Sequence, residues 1–329
     1  MQTTLSPLLL IVLLYDACSL SSCNHPTSAA TKRDLVEVFG QRIALSQIYA
    51  SPIGGSQPAL RLRFFDGRQE TRSISCCSRP MSATVSQNRL VFVDTDLQTT
   101  KGLGEMISKT TEGGQVVSLD LDGKIVARSK VSISSNLVAL SPDGKRFAFG
   151  GVPGGFPQQD SGVYIGTFES SECRRIFSIG YRPIDRDRTG LNRESSLQWA
   201  SDGRRVLFSY RGKVVLIDAD TGKTQSLIDG GGARLSPDGN RLAYITPGLS
   251  SALLDLTTGK SHVVDPDQKT NMQPVEWSPD GRYIAFVEAE GSHVPYGCLW
   301  VYRVSDGSFV AIPGWGIGPA VHWVSLGDL

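Results

Sequence analysis

The feature that most restricts the fold of this chain is a turn written repeatedly along it. Ser141-Pro142-Asp143-Gly144-Lys145-Arg146-Phe147-Ala148-Phe149, Ser236-Pro237-Asp238-Gly239-Asn240-Arg241-Leu242-Ala243-Tyr244 and Ser278-Pro279-Asp280-Gly281-Arg282-Tyr283-Ile284-Ala285-Phe286 are three close copies. Ala200-Ser201-Asp202-Gly203-Arg204-Arg205-Val206-Leu207-Phe208 is a looser one, and Gln87–Phe92 and Gly40–Leu45 align as degenerate copies. The chemistry of the turn explains its residues. Serine accepts a backbone N–H, proline presets φ, aspartate is at home at the third position, and glycine takes the left-handed conformation at the fourth. Asn88 stands in the glycine column of one copy, and asparagine is the next residue to tolerate positive φ. The strand after each turn is aromatic and β-branched, as a buried strand should be. Asp143, Asp238 and Asp280 therefore read as turn formers rather than catalytic carboxylates.

A second hairpin follows each copy, as in Val214–Lys223, Leu253–Lys260, Val117–Lys124 and Leu299–Gly307. Two hairpins per repeat make a four-stranded sheet. The glycine column recurs at intervals of 36 to 59 residues, close to the length of one propeller blade where no insertion intervenes. The pattern predicts an all-β, six-bladed β-propeller. The pattern resembles the WD40-like repeats called PD40, found in the propeller of the TolB family of the bacterial cell envelope. The resemblance covers about residues 35–329 and only the propeller part; the α/β domain that precedes it in TolB-like proteins is not expected here. It implies the fold and an envelope setting, and carries over no partner contact. Ala320-Val321-His322-Trp323 aligns with Pro274-Val275-Glu276-Trp277, so the last blade should take one strand from the C-terminus and three from the N-terminus: Gln41–Tyr49, Ala59–Phe65 and Gln69–Ile74. Such closure removes open sheet edges.

Residues 1–30 read as a targeting leader and short tether, and residues 31–329 as a single propeller domain. Leu5 to Tyr15 is an apolar run too short to span a bilayer and suited to the core of a secretory signal. Leu20-Ser21-Ser22-Cys23 resembles a lipobox, with Cys23 as the lipidated residue. Cleavage after Ala17 or near Ala29-Ala30 is the other reading. The expected location is exported, periplasmic or lipid-anchored to the bacterial outer membrane. Cys76, Cys77, Cys173 and Cys298 remain beyond the leader; they are either four unpaired thiols or pairs in which the adjacent Cys76 and Cys77 bridge the distant two.

Lys and Arg number 33 against 32 Asp and Glu, so nothing in the charge points to nucleic acid or an anionic membrane. His262, His293 and His322 fall in different repeats, and the sequence has no nucleophile elbow, phosphate loop or zinc spacing. The expectation is a monomeric, non-enzymatic protein without cofactor or metal that binds or scaffolds an envelope protein, peptide or glycan. Two places could carry that contact. Insertions at Asp94–Gly114, Gly151–Gly162, Gly180–Ser196 and Glu288–Gly297 should emerge on the propeller face opposite the Ser-Pro-Asp-Gly turns. The third holds Arg182, Arg186 and Arg188 among charges of both signs. A column of residues in the innermost strands, Thr84, Ala139, Gln198, Arg234, Glu276 and His322, is mostly polar within apolar strands and should ring a central channel near its insertion-bearing mouth. The alternative function uses that channel for catalysis or a small ligand, with Arg234, Glu276 and His322 as its polar groups.

Overall fold

The structure is a computed structural model that describes residues 43–50, 60–65, 69–74, 80–86, 89–94, 113–154, 161–180, 195–264, 272–288, 299–312 and 320–325. The leader with Cys23, the arginines 182, 186 and 188, the cysteines 76, 77 and 298, and the interiors of all four insertions lie outside the described residues. Every strand pair among the described residues is antiparallel, and no helix occurs among them.

Strands β1 (Ile43–Ala50), β2 (Leu60–Phe65) and β3 (Gln69–Ile74) form a meander. A seven-stranded sheet follows in chain order: β4 (Pro80–Ser86), β5 (Arg89–Asp94), β6 (Gly114–Asp120), β7 (Ile125–Leu140), β8 (Arg146–Pro153), β9 (Gly162–Thr167) and β10 (Cys173–Ser178). Three four-stranded meanders come next. They are β11 (Ser196–Trp199) with β12 (Arg205–Tyr210), β13 (Lys213–Asp218) and β14 (Thr224–Asp229); β15 (Gly231–Leu235) with β16 (Arg241–Ile245), β17 (Ser251–Asp255) and β18 (Ser261–Val263); and β19 (Met272–Trp277) with β20 (Tyr283–Glu288), β21 (Leu299–Arg303) and β22 (Phe309–Ile312). The last strand, β23 (Ala320–Ser325), pairs with β1 from Ile43↔Ser325 to Ile48↔Ala320.

The seven-stranded sheet differs from the repeat pattern. Two successive four-stranded groups share β7, whose first half pairs with β6 and second half with β8. Ile133 is the point of exchange, opposite Gly114 on one side and Pro153 on the other. Serine hydroxyls manage the irregularities on either side. Ser129 Oγ accepts the Val116 N–H at 2.9 Å, and Ser135 Oγ accepts the Leu137 N–H at 3.0 Å. Nothing in the turn motif signals that the two groups merge, because the merger needs only an extended run long enough for two ladders.

The Ser-Pro-Asp-Gly turns form as their chemistry predicts. Gly144, Gly239 and Gly281 have φ of 69°, 73° and 68°, and each donates its N–H to the serine carbonyl three residues back. Ser141, Ser236 and Ser278 Oγ each accept the N–H five residues on at 2.9 Å, and each hydroxyl donates to the Asp Oδ1 of its own turn. That Oδ1 also takes the N–H of Lys145, Asn240 or Arg282 at 3.1 Å. The aspartates are thus consumed by the turn.

The strands β5, β8, β12, β16 and β20, which follow the later turns, are buried on both faces. In β12, Val206, Leu207, Phe208 and Ser209 are all fully buried. Val206 and Phe208 pack with Val163, Ile165, Ile176 and Trp199 toward the preceding sheet, while Leu207 packs with Leu235, Leu242 and Tyr244 toward the following one. In β17, Leu254 joins the Leu207 cluster and Leu253 joins Trp277, Ile284 and Phe286. Successive sheets therefore stack face to face, and a side chain such as Phe208 contributes about 2–3 kcal/mol by leaving water. The first strands of the groups also lie side by side: β4 next to β7, then β11, β15, β19 and β23 in turn, with β23 next to β4.

Cys173 is a free, half-buried thiol on β10, so of the two readings of the cysteines it follows the unpaired one.

Candidate functional site

All six members of the polar column are described, and Ala139, Arg234 and Glu276 stand two residues before the turn serines 141, 236 and 278, at the turn end of their strands rather than at the insertion-bearing mouth. Thr84 is half-buried on β4, and Ala139 is buried on β7. Gln198, Arg234, Glu276 and His322 sit on the successive strands β11, β15, β19 and β23. Three of these side chains reach sideways to the backbone of the next inner strand. Gln198 donates Nε2–H to the Leu235 carbonyl at 3.0 Å and accepts the Leu235 N–H at 2.9 Å. Arg234 donates Nε–H to the Val275 carbonyl and Nη1–H to the Ala233 carbonyl. Glu276 Oε2 accepts the Trp323 N–H at 3.0 Å and lies 3.0 Å from His322 Nδ1.

Indoles return the contact in the other direction. Trp199 Nε1–H donates to the Ala139 carbonyl at 3.1 Å, Trp277 to Arg234 at 3.0 Å and Trp323 to Glu276 at 3.3 Å. The polar column is thus a set of staples between inner strands as well as a polar surface. Glu276 keeps 29% of its side-chain surface exposed and His322 12%. Burial pushes the Arg234 guanidinium pKa down, opposed by the negative charge of Glu276. Even so lowered, an arginine stays cationic at neutral pH. The centre of the fold therefore carries one cation, one carboxylate and one imidazole on three consecutive strands.

A second set of residues, aligned in the repeat but given no role there, holds the turn end together. The arginine two residues after the turn glycine leans on the glycine turn of the next sheet. Arg146 Nη2 donates to the Gly203 carbonyl at 2.7 Å, and its guanidinium lies 4.9 Å from the Trp199 ring centroid. Arg241 repeats this with Gly281, at 3.2 Å, and with Trp277, at 5.3 Å. Arg89, which directly follows Asn88, lies against Gly144, and Arg205 approaches Gly239. The sixth and last copy has Tyr283 at this position. The signal for these latches was the recurrence of arginine at 89, 146, 205 and 241; what it bonded required the neighbouring sheet.

The meander order separates the two ends of the sheets. The Ser-Pro-Asp-Gly turns share one end with the second hairpins, to which they bond through Ala219 N–H to Arg204 carbonyl, Leu256 to Asn240 and Val304 to Arg282. The strand ends that flank the four insertions, namely Asp94 and Gly114, Pro153 and Gly162, Ser178 and Ser196, and Glu288 and Leu299, all belong to the opposite end. Among the described residues no group of three or more His, Cys, Asp or Glu side chains is placed to hold a metal ion, and no helix is long and apolar enough to cross a membrane.

Comparison with solved structures finds the same fold. The crystal structure of TolB from Acinetobacter baumannii superposes with a TM-score of 0.60 at 17% identity, over 87% of this chain and 67% of that one. A protein assigned as a TolB from Agrobacterium tumefaciens gives 0.55 at 14% identity, over 87% and 98%. A chain of the nidogen–laminin complex gives 0.50 at 9% identity, over 86% and 97%. No family model matches the sequence. No curated protein matches it either. At these identities the likeness is one of fold: this is a TolB-like β-propeller architecture.

Proposed function

We propose that this chain is an exported, non-enzymatic binding or scaffolding propeller of the bacterial cell envelope, periplasmic or lipid-anchored through Cys23. In this reading it has six blades, the last closed by β23 against β1–β3, and it recognises a protein, peptide or glycan at the insertion-bearing end. The observation that carries the reading is the arrangement of its two ends. One end is occupied by the turns and by arginine latches whose hydrogen bonds stay within the fold. The other collects the strand ends from which all four insertions leave, and loops on a rigid scaffold are where binding residues concentrate. The pairing of β23 with β1 and the succession of inner strands back to β4 support the closed count. The TolB-like fold of its structural neighbours supports an envelope role without chemistry.

The experiment is affinity capture from envelope extract, with the native chain and with a variant whose residues 181–194, including Arg182, Arg186 and Arg188, are replaced by a short Gly-Ser linker. A stoichiometric protein or glycan partner lost with the loop is the expected result. A second reading rests on the Arg234, Glu276 and His322 group at the centre, which would serve a small ligand. Saturable small-molecule binding abolished by Glu276→Ala, with no loss on loop replacement, would replace the first reading by the second.

A further inference from the structure

Among the described residues two that are not glycine have positive φ: Arg211 at 47° and Leu249 at 64°. Both stand at the tip of a hairpin that joins the second and third strands of a sheet, β12 to β13 and β16 to β17. These are neighbouring sheets, and both tips belong to the insertion-bearing end, although neither hairpin carries an insertion. The connector between the two sheets fastens both tips: the Gly230 N–H donates to the Gly212 carbonyl at 2.8 Å, and Gly231 pairs with Ile245.

The two outliers differ in what they gain inside the fold. The two-residue turn at Arg211 and Gly212 requires positive φ at both positions. Arg211 offsets that strain with a bond, Nη1–H to the Ile179 carbonyl of the preceding sheet at 3.3 Å. Leu249 closes a three-residue loop. Its N–H donates to the Thr246 carbonyl at 2.9 Å, and the Thr246 N–H donates to the Ser250 carbonyl at 2.8 Å. Loops of this kind end in a left-handed residue, a position that suits glycine or asparagine and strains a larger side chain. The leucine has no hydrogen bond to offer in return and joins none of the apolar clusters of the described sheets. It is 55% exposed. An exposed leucine is ordinary by itself. One held in a conformation that disfavours it is different, because glycine would relieve the strain with no bond lost.

The surroundings of the tip are uncharged. No Lys, Arg, Asp or Glu occurs from Leu242 to Leu254. Pro247 and Gly248 are exposed beside Leu249. Val263, 47% exposed, lies on the outer strand β18 of the same sheet, next to the Val264 N–H that donates to the Ser251 carbonyl. We propose that Leu249 is an apolar anchor for a protein partner, entering a pocket of that partner with Pro247 and Val263 at its rim. This rests on the reading of the insertion-bearing end given above and narrows the partner to a protein. An aliphatic side chain without charge or aromatic face offers a glycan neither hydrogen bonds nor stacking, whereas the centre of a protein interface is depleted of charge. The short, fastened loop is already ordered, so little conformational freedom is lost on binding.

The test has two readouts on the full-length chain. In thermal unfolding, Leu249→Gly should raise the melting temperature by about 1–2 °C, because glycine accepts the left-handed conformation. For binding, the immobilised native chain is used to capture protein from envelope extract, and the captured protein is purified and titrated calorimetrically against each variant. Leu249→Gly should weaken its Kd about tenfold, the change that burying the exposed half of a leucine supplies. Leu249→Met keeps an apolar side chain and should stay within about twofold. A lower melting temperature for Leu249→Gly would show that the leucine serves the fold and would overturn the proposal. A protein lost on replacement of residues 181–194 but held equally by Leu249→Gly would overturn it while leaving the reading of that end intact. Capture of a glycan alone would do the same, and a native chain that captures neither would overturn both.

Discussion

Replacing Arg146 with alanine removes three contacts that join two sheets at the turn end. The charged donor to the Gly203 carbonyl, at 2.7 Å, belongs to a class worth about 1.5–3 kcal/mol when enclosed. Arg146 is 28% exposed, so a value at or just below the lower limit of that range, roughly 1–1.5 kcal/mol, is appropriate. Its position over the Trp199 ring adds about 0.5–1 kcal/mol. The ion pair to Asp220, itself 64% exposed, adds about 0–0.5 kcal/mol. These contacts are neighbours and not additive, so about 2 kcal/mol is the expected total. For a cooperative unit of this size that is a fall of about 3–4 °C in melting temperature. Thermal unfolding followed by near-ultraviolet circular dichroism measures it, because Trp199 reports on the same interface. Asp220→Ser serves as the control and should cost a quarter of that or less. A melting temperature of the Arg146→Ala variant within about half a degree of the native protein, or an equal loss from Asp220→Ser, would show that the guanidinium does not bridge the sheets.

Acid should loosen the turn end in a defined window. The Ser141 hydroxyl and the Lys145 N–H hold the Asp143 carboxyl below the ordinary value of 3.8. In Asp238 and Asp280 burial opposes ionisation most strongly, yet the serine hydroxyl and backbone N–H of each turn together outweigh it. The Ser308 hydroxyl and N–H, with Arg303, hold Asp306 at about 2. Carboxylates that ionise more readily folded than unfolded stabilise the fold fully above about pH 4, and that contribution is lost as the pH falls through their lower folded values. Melting temperature measured from pH 5 to pH 2 should therefore decline through the lower part of that range and level off above about pH 4; a flat profile down to pH 2 would contradict the turn chemistry. Burial pushes the Cys173 thiol up to about 11. At pH 8 its thiolate fraction is then roughly two hundredfold below that of an ordinary cysteine. Peptide mapping after iodoacetamide treatment should find it labelled only once urea has unfolded the protein, and equal labelling of the native chain would contradict its burial.

The parts of this fold that could be read from the chain are those in which a residue's job is local. Pro237, Asp238 and Gly239 specify their turn with bonds that stay within six residues, so the motif alone locates the hairpin. The run Val206-Leu207-Phe208 announces a strand buried on both faces, because no alternation of polar residues offers it a wet side. Other features depend on a neighbour more than thirty residues away. Gln198 and Glu276 could be recognised as polar groups in apolar strands, but their bonds to Leu235 and Trp323 depend on how the next sheet is set. Arg146 and Asp220 look like ordinary surface charges until Gly203 is brought beside them. The merger of two groups along β7 was invisible for a different reason: its residues satisfy either a strand end or a continuous strand, and only the paired ladders decide.

The shared strand also sets how this assembly can move. Elsewhere adjacent sheets meet through packed side chains and a few lateral bonds, which can slide or hinge at modest cost. At Ile133 the same backbone belongs to both ladders, so the two groups it joins cannot rotate apart without breaking one of them. Among the described strands this is the one rigid double segment, and widening or twisting on contact with a partner must be taken up at other joints.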